Sequence, residues 1–418
     1  MVKVVVLGLG YIGLPTAAIL ASKKFDVLGV DVNETVVEIV KKGKVHVAEP
    51  DLEGLVYNAV HSGYLRAKTV PEKADVYILA VPTPFKKNHE PDLRFIESAV
   101  DSIAPYLDKE NIVILESTSP VGTTEQITQK LQKKRPDLKF PIYKKDNESD
   151  IYISHCPERV LPGNILPELI QNKRIIGGMT RQSAIKTSKF YQKFVTGKCL
   201  TTDARTAELC KLVENSARDV NIAFANEISI ICDKLDINVW DLISLANQHP
   251  RVNILQPGPG VGGHCIAVDP WFIVNAAPDE ANLIRAARLI NNSKPDFVLE
   301  KIKQSVKNTG KKISKISIAC LGLTFKPDVA DLRESPALEI AKKISEMGFK
   351  NQYLVDPNIK IMPEYFLKKT SSLVDIDYAL KTAEVILLLV HHKEFKKVNL
   401  ELISNKQVID TRGIWSNK

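Results

Sequence analysis

The segment Val2-Lys3-Val4-Val5-Val6-Leu7-Gly8-Leu9-Gly10-Tyr11-Ile12-Gly13 decides the fold. Its first half is an unbroken, largely β-branched run, as expected of a strand buried on both faces of a parallel sheet. A helical stretch from Leu14 to Lys24 follows, then a second strand, Val27 to Val30, ending at Asp31. A G-x-G-x-x-G repeat between a strand and a helix, with an acidic residue about 20 positions on, points to dinucleotide binding. Gly8 permits the tight turn, Gly10 lets a pyrophosphate approach the helix N-terminus, and Gly13 allows close packing against the strand. Asp31 would accept a hydrogen bond from a ribose 2′-hydroxyl and repel a 2′-phosphate, so the expected cofactor is NAD.

Two further apolar runs end at the same predicted edge. Residues 76–81 lead into Pro82-Thr83-Pro84, and residues 112–115 into Glu116-Ser117-Thr118-Ser119-Pro120. Thr83 and Thr118 are placed to meet the cofactor or, equally, to cap turns beside proline. Residues 151–159 read as another strand delivering His155, Glu158 and Arg159. A long helix is expected from about Thr206 to Leu235, with Lys211, Asn215, Arg218 and Asn226 near one face and Leu212, Val213, Val220, Ile222, Phe224 and Ile228 as apolar complement. That composition suggests packing on several sides, and a buried polar stripe would need a polar ligand or a partner chain. Helical stretches through Asn291 and from Pro295 to Gly310 precede a second βαβ series: strand 316–321, helix 335–347, strand 352–355 ending at Asp356, then strands 385–390 and 407–409. The fold class is α/β, two Rossmann-like doubly wound parallel-sheet domains joined by a central helical domain with a long helix. The expected boundaries are 1–200, 201–296 and 297–418.

At 418 residues the chain is long enough for two or three cores. An apolar content of 44% with 25% charged residues describes a globular protein. The formal charge of +8 favours an anionic partner. Its lysines, such as Lys133, Lys134, Lys311 and Lys312, sit at expected helix ends and turns, and no nucleic-acid module accompanies them. The opening apolar run breaks at Gly8 and Gly10, and Val385 to Val390 is only a strand's length. No signal peptide or membrane span is expected, and a cytoplasmic location follows. The six cysteines are scattered without a C-x-x-C pair, which argues against a disulfide framework and a structural metal site.

One of those cysteines stands in Pro257-Gly258-Pro259-Gly260-Val261-Gly262-Gly263-His264-Cys265-Ile266-Ala267-Val268-Asp269-Pro270. Glycine and proline cost about 1 and 3 kcal/mol in a helix interior, so this is a loop that lets another molecule come close. Cys265 is either an exposed nucleophile or an inert packing residue.

Over essentially its full length the chain resembles the nucleotide-sugar 6-dehydrogenase family. The matching blocks occur in family order: the glycine fingerprint, Glu116 through Thr123, Pro157-Glu158-Arg159, Lys211 with Asn215, Asn226-Glu227, Gly262-Gly263-His264-Cys265 with Asp269, and Gly322 through Pro336. The wording of 249–253 and 256–272 is most like the branch acting on UDP-N-acetyl-D-mannosamine. The UDP-N-acetylglucosamine branch usually has proline where Ala267 stands, and the UDP-glucose branch lacks His264. The resemblance implies a four-electron, NAD-dependent oxidation at carbon 6. In it Cys265 forms a thiohemiacetal and then a thioester, Lys211 and Asn215 stabilise the developing oxyanion, Thr118 and Asp269 position water, and Glu158 acts as acid or base. It assigns Tyr11, Ile12, Asp31, Thr83, Thr118 and Arg333 to NAD. To the sugar nucleotide it assigns Arg159, Val160, Arg218, His249, Arg251, Gly262, Phe325, Lys326 and Arg412, besides Lys211 and Asn215. It also implies a homodimer built on the middle helix, with Arg251 reaching the partner's site.

Overall fold

The computed structural model describes residues 1–86, 89–145, 148–263 and 265–415. The chain forms two compact units, Met1–Glu214 and Asn215–Lys418.

The first unit is an eight-stranded sheet built from β1 (Lys3–Leu7), β2 (Asp26–Val30), β3 (Leu65–Lys68), β4 (Val76–Leu79), β5 (Ile112–Leu115), β6 (Tyr152–His155), β7 (Arg174–Gly178) and β8 (Cys199–Asp203). The strand order is β3-β2-β1-β4-β5-β6-β7-β8, parallel except between β6 and β7. The run that opens the chain is continuous because both faces of β1 are covered: Val4 and Val6 enter one core cluster, Val5 and Leu7 the other. Each such side chain contributes about 1.5–3 kcal/mol on burial. Strand order reverses between β1 and β4, which opens the crevice where doubly wound sheets take ligands.

The second unit repeats the design with β9 (Ser317–Leu321), β10 (Asn351–Val355), β11 (Ser371–Leu373), β12 (Val385–Leu388) and β13 (Gln407–Asp410), all parallel in the order β11-β10-β9-β12-β13. The loop connections repeat as well. Gly8 N–H donates to Val30 O at 2.8 Å and Gly322 N–H to Val355 O at 2.7 Å. Asp31 accepts from the N–H groups of Leu9 and Asn33, and Asp356 from those of Leu323 and Asn358.

The two copies differ at the ligand edge. Where Gly10 leaves open space, the second loop carries Thr324, fully buried, its hydroxyl donating to Lys326 O. Asp356 also accepts from Thr324 N–H, and its other close neighbour is the buried His392 ring at 3.2 Å.

Helices supply the rest: Ala204–Lys234, Val239–Ala246, Asp269–Ala276 and Asn282–Asn308. The last is one helix with Pro295 inside it, where the sequence suggested two; Asn291 and Lys294, flanking the proline, hold side-chain bonds to the Ala204–Lys234 helix. Leu209, Val213, Phe224, Ile231 and Leu235 form an exposed apolar stripe along the long helix. No helix among the described residues is long and apolar enough to cross a membrane.

Gly322 has φ +93°, and a Cβ there would lie 2.4 Å from Val390 Cβ. Gly322→Ala should therefore lower unfolding free energy by about 2–4 kcal/mol in a urea titration.

Candidate active site

The glycine turn after β1 is built by contact. A Cβ on Gly8 (φ +88°) would sit 2.5 Å from Ala80 O, and one on Gly13 would sit 1.8 Å from Gly8 O. Gly8 and Gly13 thus clamp β1, β4 and the Gly13–Ser22 helix together, leaving the Gly10 backbone bare between them. Tyr11 is exposed and Ile12 half-buried at the helix start. Asp31 ties β2 to the turn at 2.9 Å through Leu9 N–H. Thr83 and Thr118, both half-buried, follow β4 and β5 at the same edge. Thr118 leads into a loop fixed from the long helix by Glu208, which accepts from Gly122 N–H at 2.6 Å and from the Thr124 N–H and hydroxyl. This bare backbone beside a helix start fits a dinucleotide phosphate.

In the second unit Cys265 is exposed and opens the turn that becomes the Asp269–Ala276 helix. Its carbonyl accepts from Val268 N–H at 3.0 Å and Asp269 N–H at 2.8 Å. The Asp269 carboxylate, buried, accepts from Asn215 Nδ2 at 2.5 Å. Three of the residues expected to be catalytic, Cys265, Asp269 and Asn215, therefore meet within one unit. Lys211 is half-buried one turn upstream of Asn215 on the same helix. His264 lies outside the described residues.

Glu158 occupies a cluster that the sequence did not reveal. The strand expected over 151–159 stops at His155, and the chain beyond it turns into the protein. There the Glu158 carboxylate binds the buried Arg174 guanidinium at 2.5 Å and accepts from Arg159 N–H at 2.6 Å. Arg174 lies over the Tyr191 ring, and Tyr191 donates to Glu116 at 2.6 Å. Glu116, Glu158, Arg174, His155 and Cys156 are all buried here, Glu158 paired with Arg174 and Glu116 bonded to Tyr191. Burial, opposed by Arg174 and reinforced by Glu158, pushes Glu116 up to about 7. Burial also pushes the Cys156 thiol up to about 12, so it is not a nucleophile.

The residues assigned to the sugar nucleotide belong to both units, Arg159 and Val160 to the first and Arg218 through Arg412 to the second. Arg159 forms a two-pronged pair with Glu214, and Val160 packs on the first core. Arg218, His249 and Arg251 are exposed. Gly262 packs under Glu334 O and Phe325, and Lys326 is half-buried in the loop after β9. Arg412 donates to Leu389 O at 3.1 Å, and loss of water around its head lowers it to about 10. Arg333, assigned to NAD, grips Asp331 with both prongs.

A parallel sheet with a bare glycine turn at its switch point and a cysteine–aspartate turn in the following unit define a dinucleotide-dependent oxidoreductase. The profile of the UDP-glucose/GDP-mannose dehydrogenase family matches in three consecutive parts: its NAD binding domain over residues 2–195, its central domain over 205–293 and its UDP binding domain over 319–417. The chain is 57% identical over 403 residues to a UDP-N-acetyl-D-mannosamine dehydrogenase of Campylobacter jejuni, covering 96% of this chain and 98% of that protein. It is 54% identical over 413 residues to an NDP-N-acetyl-D-galactosaminuronic acid dehydrogenase of Ralstonia nicotianae, covering 99% and 96%. A solved UDP-D-ManNAc dehydrogenase from Pyrococcus horikoshii superposes with a TM-score of 0.88 at 36% identity, covering 100% of this chain and 96% of that one. The chain belongs to the UDP-glucose/GDP-mannose dehydrogenase family; it is an NAD-dependent oxidoreductase of nucleotide sugars.

Folded Glu116 keeps a proton that the unfolded chain releases from about pH 4.5 upward, so its contribution to stability falls as pH rises from there to about 7. Glu116→Gln does not titrate. Its stability relative to wild type should therefore rise by on the order of 3 kcal/mol between about pH 5 and about pH 8 in urea unfolding. A pH-independent difference would show that Glu116 is ionised in the fold.

Proposed function

We propose that the enzyme oxidises UDP-N-acetyl-D-mannosamine at carbon 6 to UDP-N-acetyl-D-mannosaminuronate, and that Cys265 carries the half-oxidised sugar. The observation behind the chemistry is the turn that holds exposed Cys265 and buried Asp269 together, with Asn215 on Asp269 at 2.5 Å. The names of several relatives at 53–57% identity support the sugar.

An aldehyde gives up a second hydride to form a carboxylate only after its carbon gains another heteroatom. The Cys265 thiolate adds to the aldehyde carbon, giving a thiohemiacetal; loss of hydride leaves a thioester, and water releases the acid and the thiol. The Gly8–Gly13 turn, Tyr11, Ile12, Asp31, Thr83 and Thr118, with Arg333, would hold NAD, which would supply the hydride acceptor for both oxidations. In sum, one alcohol, two NAD⁺ and one water give one carboxylate, two NADH and three protons. Lys211 and Asn215 stabilise the negative oxygen, and Lys211 takes part in the proton transfer of the first step. Thr118 and Asp269 orient the water, and Glu158 acts as general acid or base in the thioester chemistry. Arg159, Arg218, Arg251 and Arg412, with Val160, His249, Gly262, Phe325 and Lys326, bind the UDP-sugar; guanidinium forks suit pyrophosphate oxygens.

The domains are 1–200 for NAD, 201–296 for the centre and 297–418 for UDP, in an enzyme of the cytoplasm. Two copies pair through the exposed stripe that includes Val213, Phe224 and Ile231, and Arg251 reaches the partner's site.

Purified enzyme should release two NADH per UDP-N-acetyl-D-mannosamine and turn it over faster than UDP-N-acetylglucosamine, UDP-glucose or UDP-N-acetylgalactosamine. An equal or faster rate on any of the others overturns the sugar. Cys265→Ala should lose acid formation by orders of magnitude; unchanged turnover would make this a two-electron dehydrogenase with Cys265 as packing.

Phe224→Glu should shift the protein from dimer to monomer in analytical ultracentrifugation, since a charge would enter an apolar interface. A wild-type monomer, or an undisturbed dimer in the variant, would rule out pairing through this stripe.

A further inference from the structure

In Pro257-Gly258-Pro259 the two prolines have no N–H, so Gly258 carries the one backbone donor at the point where the cysteine loop begins. That donor is buried, and it goes to the Asn226 side-chain oxygen at 2.9 Å. Asn226, fully buried, uses its amide nitrogen on Asn291 Oδ1 at 2.8 Å. Asn291 in turn donates to Asp219 at 2.8 Å and to its carbonyl at 3.0 Å, and Arg288 closes the chain on Asp219 at 2.6 Å. An unbroken row of side-chain bonds thus runs between the Ala204–Lys234 and Asn282–Asn308 helices and ends on the loop. At Asn226 the polar stripe seen in the sequence meets this backbone.

The same glycine has a second neighbour. A Cβ on Gly258 would lie 2.4 Å from the Arg412 guanidinium, so the loop start is wedged between Asn226 and a residue assigned to the sugar nucleotide. Further along, Gly260 presses on Pro336 and Gly262 on Glu334 O. These are steric stops on one side of the loop. Asn226 supplies the directional bond on the other.

We propose that Asn226, braced by Asn291, is a positioning residue for Cys265: it sets where the loop leaves the long helix and hence where the thiol stands relative to Asp269 and Arg412. The inference rests on Cys265 being the nucleophile. It adds a residue that touches neither substrate nor cofactor. Side chains that hold reacting groups act through geometry, where a displacement of about 1 Å costs on the order of a hundredfold in rate.

The test compares Asn226→Ala, which removes both bonds, with Asn226→Asp, which keeps the acceptor for Gly258 N–H. For each, kcat and the KM for NAD are measured together with the iodoacetamide labelling rate of Cys265, read by peptide mass against Cys199 in the same digest. Asn226→Ala should lower kcat about tenfold or more, leave the KM for NAD within about twofold, and change the relative Cys265 labelling rate about threefold or more, with Asn226→Asp recovering part of each. Labelling and kcat both within about twofold of wild type in Asn226→Ala would overturn the proposal. So would an Asp variant that folds but is no better than Ala. Should Asn226→Ala fail to fold, Asn226→Ser, too short to span to Gly258, carries the same test. Full turnover in Cys265→Ala would instead remove the underlying reading, while altered labelling in Asn226→Ala would still establish the tether.

Discussion

The bond on which each sheet's working edge depends joins an aspartate at the end of a second strand to the backbone leaving the first. Asp31 does this for Leu9, and Asp356 for Leu323. A carboxylate accepting a backbone N–H replaces the ladder where two parallel strands part, and it fixes the turn at the switch point. In the first unit the rest of that turn is glycine, and Gly10 faces open space. In the second, Thr324 and His392 occupy the corresponding ground. One architecture thus yields two different edges, and the difference lies in a few side chains.

Buried polar groups do a comparable job elsewhere. Arg174 and Arg288 each meet a carboxylate deep in a core, Glu158 and Asp219 respectively. Burying such pairs gains little stability by itself, because desolvation offsets attraction. Their contribution is directional. Arg174 holds Glu158 at a strand end, and Arg288 anchors the amide row that reaches the cysteine loop.

Much of this was legible in the sequence because it is local. A strand closed by glycines and followed by an aspartate has few other readings, and a cysteine four residues before Asp269 in a glycine loop announces a turn. Strands β3, β7, β8 and β11 are not legible in the sequence: Leu65–Lys68 alternates as a half-exposed edge, Arg174–Gly178 has only two apolar residues between an arginine and two glycines, Cys199–Asp203 is mostly polar, and Ser371–Leu373 is three residues long. Pro295 suggested a break that the surrounding side-chain bonds override. The Glu116–Tyr191–Arg174–Glu158 cluster was illegible for a different reason. It joins residues distant in the chain, and no periodicity marks which buried carboxylate finds which cation. Glu116 and Glu158 are both visible in the sequence, but only the fold shows that one meets Tyr191 and the other Arg174, whose guanidinium lies over that ring.

In the second sheet Asp356 lies against the buried His392 ring, and the family's NAD binding domain matches the first sheet while its UDP binding domain matches the second. If both proposed oxidations draw on NAD held at that first sheet, spent coenzyme must depart and fresh coenzyme arrive between them. During that exchange a free aldehyde would diffuse into solvent. On the proposed reading, a covalent sulfur mooring at Cys265 would keep the reactive cargo aboard between those shifts.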